Sequence, residues 1–304
     1  MRNSTNDENS TQIPSKLPRA FTPLQSRPPL RFLSFNQKPN FSDLILSHES
    51  DPKPLQSLVP EIFSSLLQEE SQHPISDYML CQSEINYKMR AILIDWLVSV
   101  HQKFRMQNET LFLCVSLIDR YLAVRDVEKK YLQLVGICAL MITSKYEEIY
   151  PPNSRDFIYL TDKAYTAEQL VKMEIDMLDA VQFIINIPTV LIFIERWAIL
   201  LKVSERCKSL GKYLCELALV EYHMNKFKGS LLSLSALYLS GKIVKENVGD
   251  VKKVALTVKV NESEVKVCAR ELLGLFFSAQ KHVLTCVRDK YGTEKCLEVS
   301  KIRI

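Results

Sequence analysis

From position 60 onward, apolar residues recur at intervals of three and four, the spacing that turns one side of a helix toward a core. In PEIFSSLLQEE, Ile62, Phe63, Leu66 and Leu67 follow Pro60, a residue favoured at the first helical position, so a helix is predicted to start there. Residues 88–105 put Met89, Ile92, Leu93, Trp96, Leu97 and Val100 on one broad stripe. A second helix is predicted through ETLFLCVSLIDRYLAV, with Asn108 as its cap. Residues 130–147 are apolar nearly all round, which predicts the buried centre of a domain. Pro151-Pro152 ends that helix, because proline excludes the preceding residue from helical angles. A short helix near 154–160 and another over 167–181, capped by Thr166, complete a set of five.

Pro188 opens a second set, predicted at 188–202, 205–222, 229–245, 251–258 and 262–282, with Gly249 and Asn261 as breaks. Five helices followed by five of similar order point to an internal structural repeat. The length of 304 residues suits two domains. Residues 1–60 hold nine of the thirteen prolines and no glycine, and are rich in Ser, Asn and Gln. Such a segment buries too little apolar surface to offset its chain entropy. The division read from the sequence is a disordered regulatory tail over 1–59, a leading helix and first domain over 60–187, and a second domain over 188–304.

Composition narrows the chemistry. Seven glycines, none before Gly136, leave no GxGxxG or GxxxxGK[ST] loop, and they disfavour hairpin-rich β folds. The fold class is all-α. Eight cysteines show no CxxC spacing, and the first residues carry no apolar signal region, so secretion and disulfides are not expected. The apolar run 181–194 is broken by Asn186 and Pro188 and is too short to span a bilayer, which suits a soluble intracellular protein. No HExxH, GxSxG, HRD or DFG occurs. Glu147 and Glu148 are adjacent, so on a helix they diverge by about 100° and cannot face each other as acid and base. No catalytic residue, metal site or cofactor is expected. Net charge runs from −3 over residues 1–87, through −1 over 88–187, to +8 over 188–304. The basic second half suits a solvated lysine-rich face and also allows an acidic or phosphorylated partner.

Six peptides then stand in order and register: MRAILIDWLV (89–98), MQNETL (106–111), LIDRYL (117–122), LQLVG (132–136), SKYEEIYPP (144–152) and Ile-Pro-Thr (187–189). Together they resemble the cyclin box of mitotic cyclins of the A and B types, closer to the B type. The resemblance implies two tandem five-helix cyclin-box domains behind a short helix and a disordered tail. It also implies a regulatory subunit, not itself an enzyme, that binds and activates a cyclin-dependent Ser/Thr kinase and helps to recruit substrates at the G2/M transition.

The positions matching the family's kinase-contacting pair are Lys145 and Glu174, with Tyr146, Leu178, Phe183 and Ile62 as apolar contacts around them. Tyr146 stands where phenylalanine is commoner, and Leu58 where an aromatic is expected. Met89, Ile92, Leu93, Trp96 and Gln133 match a shallow groove for substrate or inhibitor peptides with a basic-x-Leu motif. Ser99 stands there in place of a glutamate that many members carry. Arg90 and Asp119 match a structural ion pair joining the first two helices of the box. Taken singly, the charged positions read equally as solvated helix residues, and the apolar ones as core.

In the tail, Arg27 and Leu30 spell RxxL, a candidate destruction box read by a ubiquitin ligase, and Thr22-Pro23 is a candidate phosphosite. Lys245-Glu246-Asn247 spells KEN at a helix end, where coincidence is the simpler reading. The family implies nuclear and cytoplasmic location, with no membrane or direct nucleic-acid partner. Two other readings stay open: a cyclin-fold transcription factor using the basic half on DNA, and a non-activating helical adaptor, which the departures at Leu58 and Ser99 allow.

Overall fold

The computed structural model describes residues 53–303, with side chains from Leu58 onward; the readings placed on Thr22, Arg27 and Leu30 lie outside the described residues. Regular structure within them is entirely helical. The first helix, α1 (Lys53–Gln72), begins seven residues before the predicted start and carries Pro60 inside it. A proline there lacks the N–H that would bond four residues back. The helix continues because Val59 and Phe63 bury in a core on either side of it in sequence, with Phe63 against Phe193 and Trp197 at centroid distances of 6.4 and 5.8 Å. Those partners belong to the second half of the chain, so α1 packs there.

The first set follows as α2 (Tyr87–Lys103), α3 (Asn108–Leu122), α4 (Leu132–Glu147), α5 (Ser154–Tyr159) and α6 (Ala167–Ala180). Leu132 to Ser144 of α4 are buried save Gln133, as expected of a central helix. Asn108 is not the cap of α3. Gln107 holds that position with no side-chain bond of its own, and the Glu148 carboxylate accepts instead from the Gln107 N–H at 2.7 Å and the Thr110 hydroxyl at 2.5 Å. The anion is thus brought to the positive end of α3 from 40 residues away, a contact without local spacing to betray it. Thr166 does cap α6, in a reciprocal box with Gln169.

The second set is α7 (Val190–Leu200), α8 (Glu205–Val220), α9 (Gly229–Val244), α10 (Val251–Thr257) and α11 (Glu262–Ala279), closed by a short α12 (Cys286–Tyr291) and two 3₁₀ turns that the sequence pattern does not predict. Here α9 takes the place that α4 takes before it, buried from Ser230 to Gly241 apart from Tyr238. Asn261 and Ser204 are helix caps, and Gly249 closes a loop by donating its N–H to the Leu201 carbonyl at 3.1 Å.

Helix α2 serves two cores, one through its predicted stripe and a second through residues outside it. Leu93, Leu97 and Val100 enter the cluster around α4, while Ile94 and Val98 enter the one around α9. Gly136 permits the first of these contacts, since a Cβ there would stand 2.7 Å from Leu93 Cδ1.

Helix endings explain how so few glycines suffice. Arg105, Gln182, Lys202, Lys245 and Lys259 lie in the left-handed region at the position after a helix, with φ between 53 and 57°. Each is followed by an N–H that reaches five residues back, as Met106 to His101 and Val203 to Ala198. Four of the five are cationic, which suits the negative end of a helix.

Candidate functional site

Arg90, buried completely on α2, sends Nε and Nη2 to the two Asp119 oxygens of α3 at 2.6 and 2.7 Å. Its Nη1 donates to the Leu219 and Val220 carbonyls at the end of α8, at 3.1 and 3.3 Å. Asp119 also accepts from the Tyr78 hydroxyl at 2.6 Å and the Asn225 amide at 3.0 Å. Burial and the adjacent carboxylate push the Tyr78 phenol above its ordinary range. The pair therefore reaches beyond the two helices assigned to it and ties the first set to the second.

One exposed surface lies where α4 ends beside α6. The Lys145 ammonium is paired with the Glu174 carboxylate, and both remain solvent-accessible. Tyr146 is 43% exposed and Phe183 70%, while Leu178 is half-buried against the core of the first set. Sequence reasoning missed four neighbours: Val171, Ile175, Ile149 and Tyr150 are all exposed. Their signal was present on α6. Leu170 and Met177 fill its core face, yet Val171, Ile175 and Leu178 repeat at i, i+4 and i+7 on another side. A helix with a second apolar stripe has something left to cover. Ile62 stands apart on α1, half-buried against the core of the second set. One turn on, Leu66 and Glu69 face Tyr146 and Glu147 across a cavity of about 500 Å³.

That cavity holds an unusual carboxyl. Glu109 accepts from the Thr189 hydroxyl at 2.6 Å across the junction of the two sets. Burial pushes its pKa up to about 7, with Glu147 and Glu195 adding to the rise and Thr189 and Lys212 opposing it.

On the outer side of α2, Ile92 is 59% exposed and Met89 and Trp96 are half-buried, as is Gln133 at the start of α4. Leu93 lies beneath them, 6% exposed under Gly136. Ser99 turns its hydroxyl to the Trp96 carbonyl at 2.7 Å and offers no anion. The KEN sequence is structural: the Glu246 carboxylate accepts from the Ser204 N–H at 2.7 Å and from its hydroxyl, holding the start of α8. Among the described residues no group of His, Cys, Asp and Glu could hold a metal ion, and no helix is long and apolar enough to cross a membrane.

Comparison with known proteins matches residues 61–186 to the family described as "Cyclin, N-terminal domain" and residues 188–304 to "Cyclin, C-terminal domain". The chain is 38% identical over 272 residues to the bovine G2/mitotic-specific cyclin-B2, an alignment that covers 86% of this chain and 68% of that protein. It is 41% identical over 225 residues to cyclin-B2-1 of Arabidopsis thaliana, covering 74% of this chain and 52% of the other. Among solved structures, a viral cyclin from herpesvirus saimiri superimposes with a TM-score of 0.64 at 20% identity, over 70% of this chain and 96% of that one.

Proposed function

The chain belongs to the cyclin family, and from that premise we propose that it is the regulatory subunit of a cyclin-dependent Ser/Thr kinase, acting at the G2/M transition as its B-type relatives do by name. The observation that carries this reading is the apolar surface of Tyr146, Ile149, Val171, Ile175, Leu178 and Phe183 around the Lys145–Glu174 pair. An uncovered apolar patch rimmed by charge is the usual form of a protein-docking site. The patch takes the mobile helix of the kinase in its active position. Lys145 and Glu174 meet the polar ends of that helix, and Ile62 extends the contact from α1. The activator adds no reacting group. It works by binding the active kinase more tightly than the inactive one, by about 10⁴-fold for a decisive switch.

Met89, Ile92, Trp96 and Gln133 over Leu93 form the groove that brings in peptides with a basic-x-Leu motif. Ser99 withholds one counter-charge, so such peptides dock more weakly here than where a glutamate is present. The tail's Arg27–Leu30 directs destruction through a ubiquitin ligase, Thr22 is a phosphosite, and the protein works in nucleus and cytoplasm. Against a DNA-binding role, several cations of the second half are already paired: Lys208 and Lys212 with Glu195, Lys226 with Glu271, Lys266 with Glu262, Lys290 with Glu216.

The test is phosphorylation of a histone-type substrate by a purified monomeric cyclin-dependent kinase, with and without this protein. Strong activation by wild type, lost in a folded Lys145→Ala/Glu174→Ala double variant, is the expected result. Failure to activate any cyclin-dependent kinase would leave a helical adaptor in its place.

A further inference from the structure

The turn after α6 has more strain than ending a helix requires. Gln182 takes the left-handed conformation of an ordinary helix stop, with its N–H bonded to the Asp179 carbonyl at 2.9 Å and the next N–H bonded to Leu178 at 2.8 Å. Phe183 is left-handed as well, at φ 59°. A bulky residue rarely adopts that conformation, and two in succession persist only where surrounding contacts enforce them. The outcome is an aromatic ring directed into solvent, 70% exposed, beside Leu178.

The enforcing contact comes from α3. The half-buried Arg120 sends Nη1 to the Ile184 carbonyl at 2.6 Å and Nη2 to the Val181 carbonyl at 3.4 Å, one on each side of the strained pair. A guanidinium has a rigid fork of donors and no acceptor, so two carbonyls held by it are fixed relative to each other. Val181 closes α6, where the carbonyls lack partners within the helix and a cation is favoured. Burial disfavours the charge on Arg120, and no carboxylate among the described residues is paired with it. Its hydrogen bonds go to these backbone oxygens.

We propose that Arg120 is a positioning residue for the docking face: its fork pins the Gln182–Phe183 turn in a left-handed double bend and so holds the Phe183 ring where a partner helix meets it. The proposal deepens the kinase-activator reading and rests on it for the identity of the partner, while the pinning of the turn stands on this chain alone.

Two measurements separate these parts. Amide hydrogen exchange at residues 182–184 of the free protein reports the turn, and calorimetric titration with a purified monomeric cyclin-dependent kinase reports docking. Wild type, Arg120→Ala, Phe183→Ala and the double variant are compared, with Arg120→Lys as a second form should the alanine variant not fold. A lysine keeps the charge but cannot span both carbonyls. The expected result is exchange at 182–184 faster by about tenfold or more in both Arg120 variants, with protection elsewhere retained. Kinase affinity should fall about tenfold in Arg120→Ala and Phe183→Ala, and no further in the double variant, the non-additivity of groups acting as one unit. Unchanged exchange at the turn would overturn the proposal, as would an equal loss of affinity from Arg120→Ala in the Phe183→Ala background. Wild-type affinity in Phe183→Ala would instead overturn the role of Phe183 in docking, with the exchange result still deciding whether Arg120 holds the turn.

Discussion

Lys290, near the end of α12, places its ammonium 2.7 and 2.8 Å from the two oxygens of Glu216, a carboxylate fully buried on α8. The same ammonium reaches the Asn108 side chain of α3 at 3.0 Å, and the Tyr291 hydroxyl donates to Glu216 at 2.9 Å. The final short helix is thus bonded to both halves, as Arg90 is from the other direction. Charge at the junction is buried and fully engaged, the condition under which removing one partner is most costly.

Arg90→Ala is therefore expected to cost about 3–5 kcal/mol, because Asp119 would be left buried without its cation. Since Arg90 also holds Leu219 and Val220, the loss should appear in both halves of the chain. Urea unfolding followed separately by Trp96 and Trp197 fluorescence checks this. A midpoint shift seen by Trp96 alone would confine the role of Arg90 to the first set.

Two buried groups give opposite pH dependences. Glu109, raised from 4.5 to about 7, keeps its proton in the folded state while the unfolded chain has lost it. Its contribution is full below about pH 4.5 and lost as pH rises through 7. His101, lowered from 6.5 to about 4 by burial and by the nearby Lys290 charge, stays neutral when folded, so its contribution is present above about pH 6.5 and lost as pH falls toward 4. Wild-type melting temperature should vary little between about pH 5 and 6.5, where the two slopes oppose. Glu109→Gln, which retains an acceptor for Thr189, should melt progressively higher as pH rises across that window. A wild-type profile that rises in parallel with that of the variant would mean that Glu109 ionises normally.

Gly136→Ala brings a methyl against Leu93 beneath the groove. The expected cost is about 1–3 kcal/mol of overpacking. Because Leu93 underlies the proposed groove, its displacement should lower affinity for a basic-x-Leu peptide as well, read by fluorescence polarisation. Lower stability with unchanged peptide affinity would place Leu93 outside the docking surface.

Gly is expected to stabilise the left-handed helix stops, but unequally. A left-handed L-residue costs about 1–2 kcal/mol, and the extra entropy of Gly in the unfolded chain returns about 0.5–1. Gln182→Gly should therefore gain about 0.5–1 kcal/mol. Lys245→Gly should gain less, because it removes a cation from a helix end where such charge contributes about 0.3–1 kcal/mol. Thermal melts of the two variants test the order.

Most helices and both central ones were legible because apolar spacing is a local property. The misses share a physical cause. Helix α1 runs through Pro60 because of Phe193 and Trp197, and α3 is capped by Glu148 rather than Asn108, partners that no short window contains. At six residues, α12 shows less than two turns of periodicity and is held by Glu216 and Asp95 from distant helices. Of the candidate site, register alone singled out Lys145 and Glu174, whose types and local spacing are unremarkable. On α6 register also singled out Leu178 but not the exposed Val171 and Ile175 on the same side, since helical period shows which residues share a side and not which side faces water.

The double burial of α2 constrains its two flanks separately from its outer side. A change at Leu97 or Val98 disturbs one or other of two packed interiors, so those positions are held on both flanks of a single helix. Ile92 and Ser99 lie on the remaining side and bear on neither interior. On the proposed reading of that side as a peptide groove, substitution at Ile92 or Ser99 changes docking while both interiors stay packed.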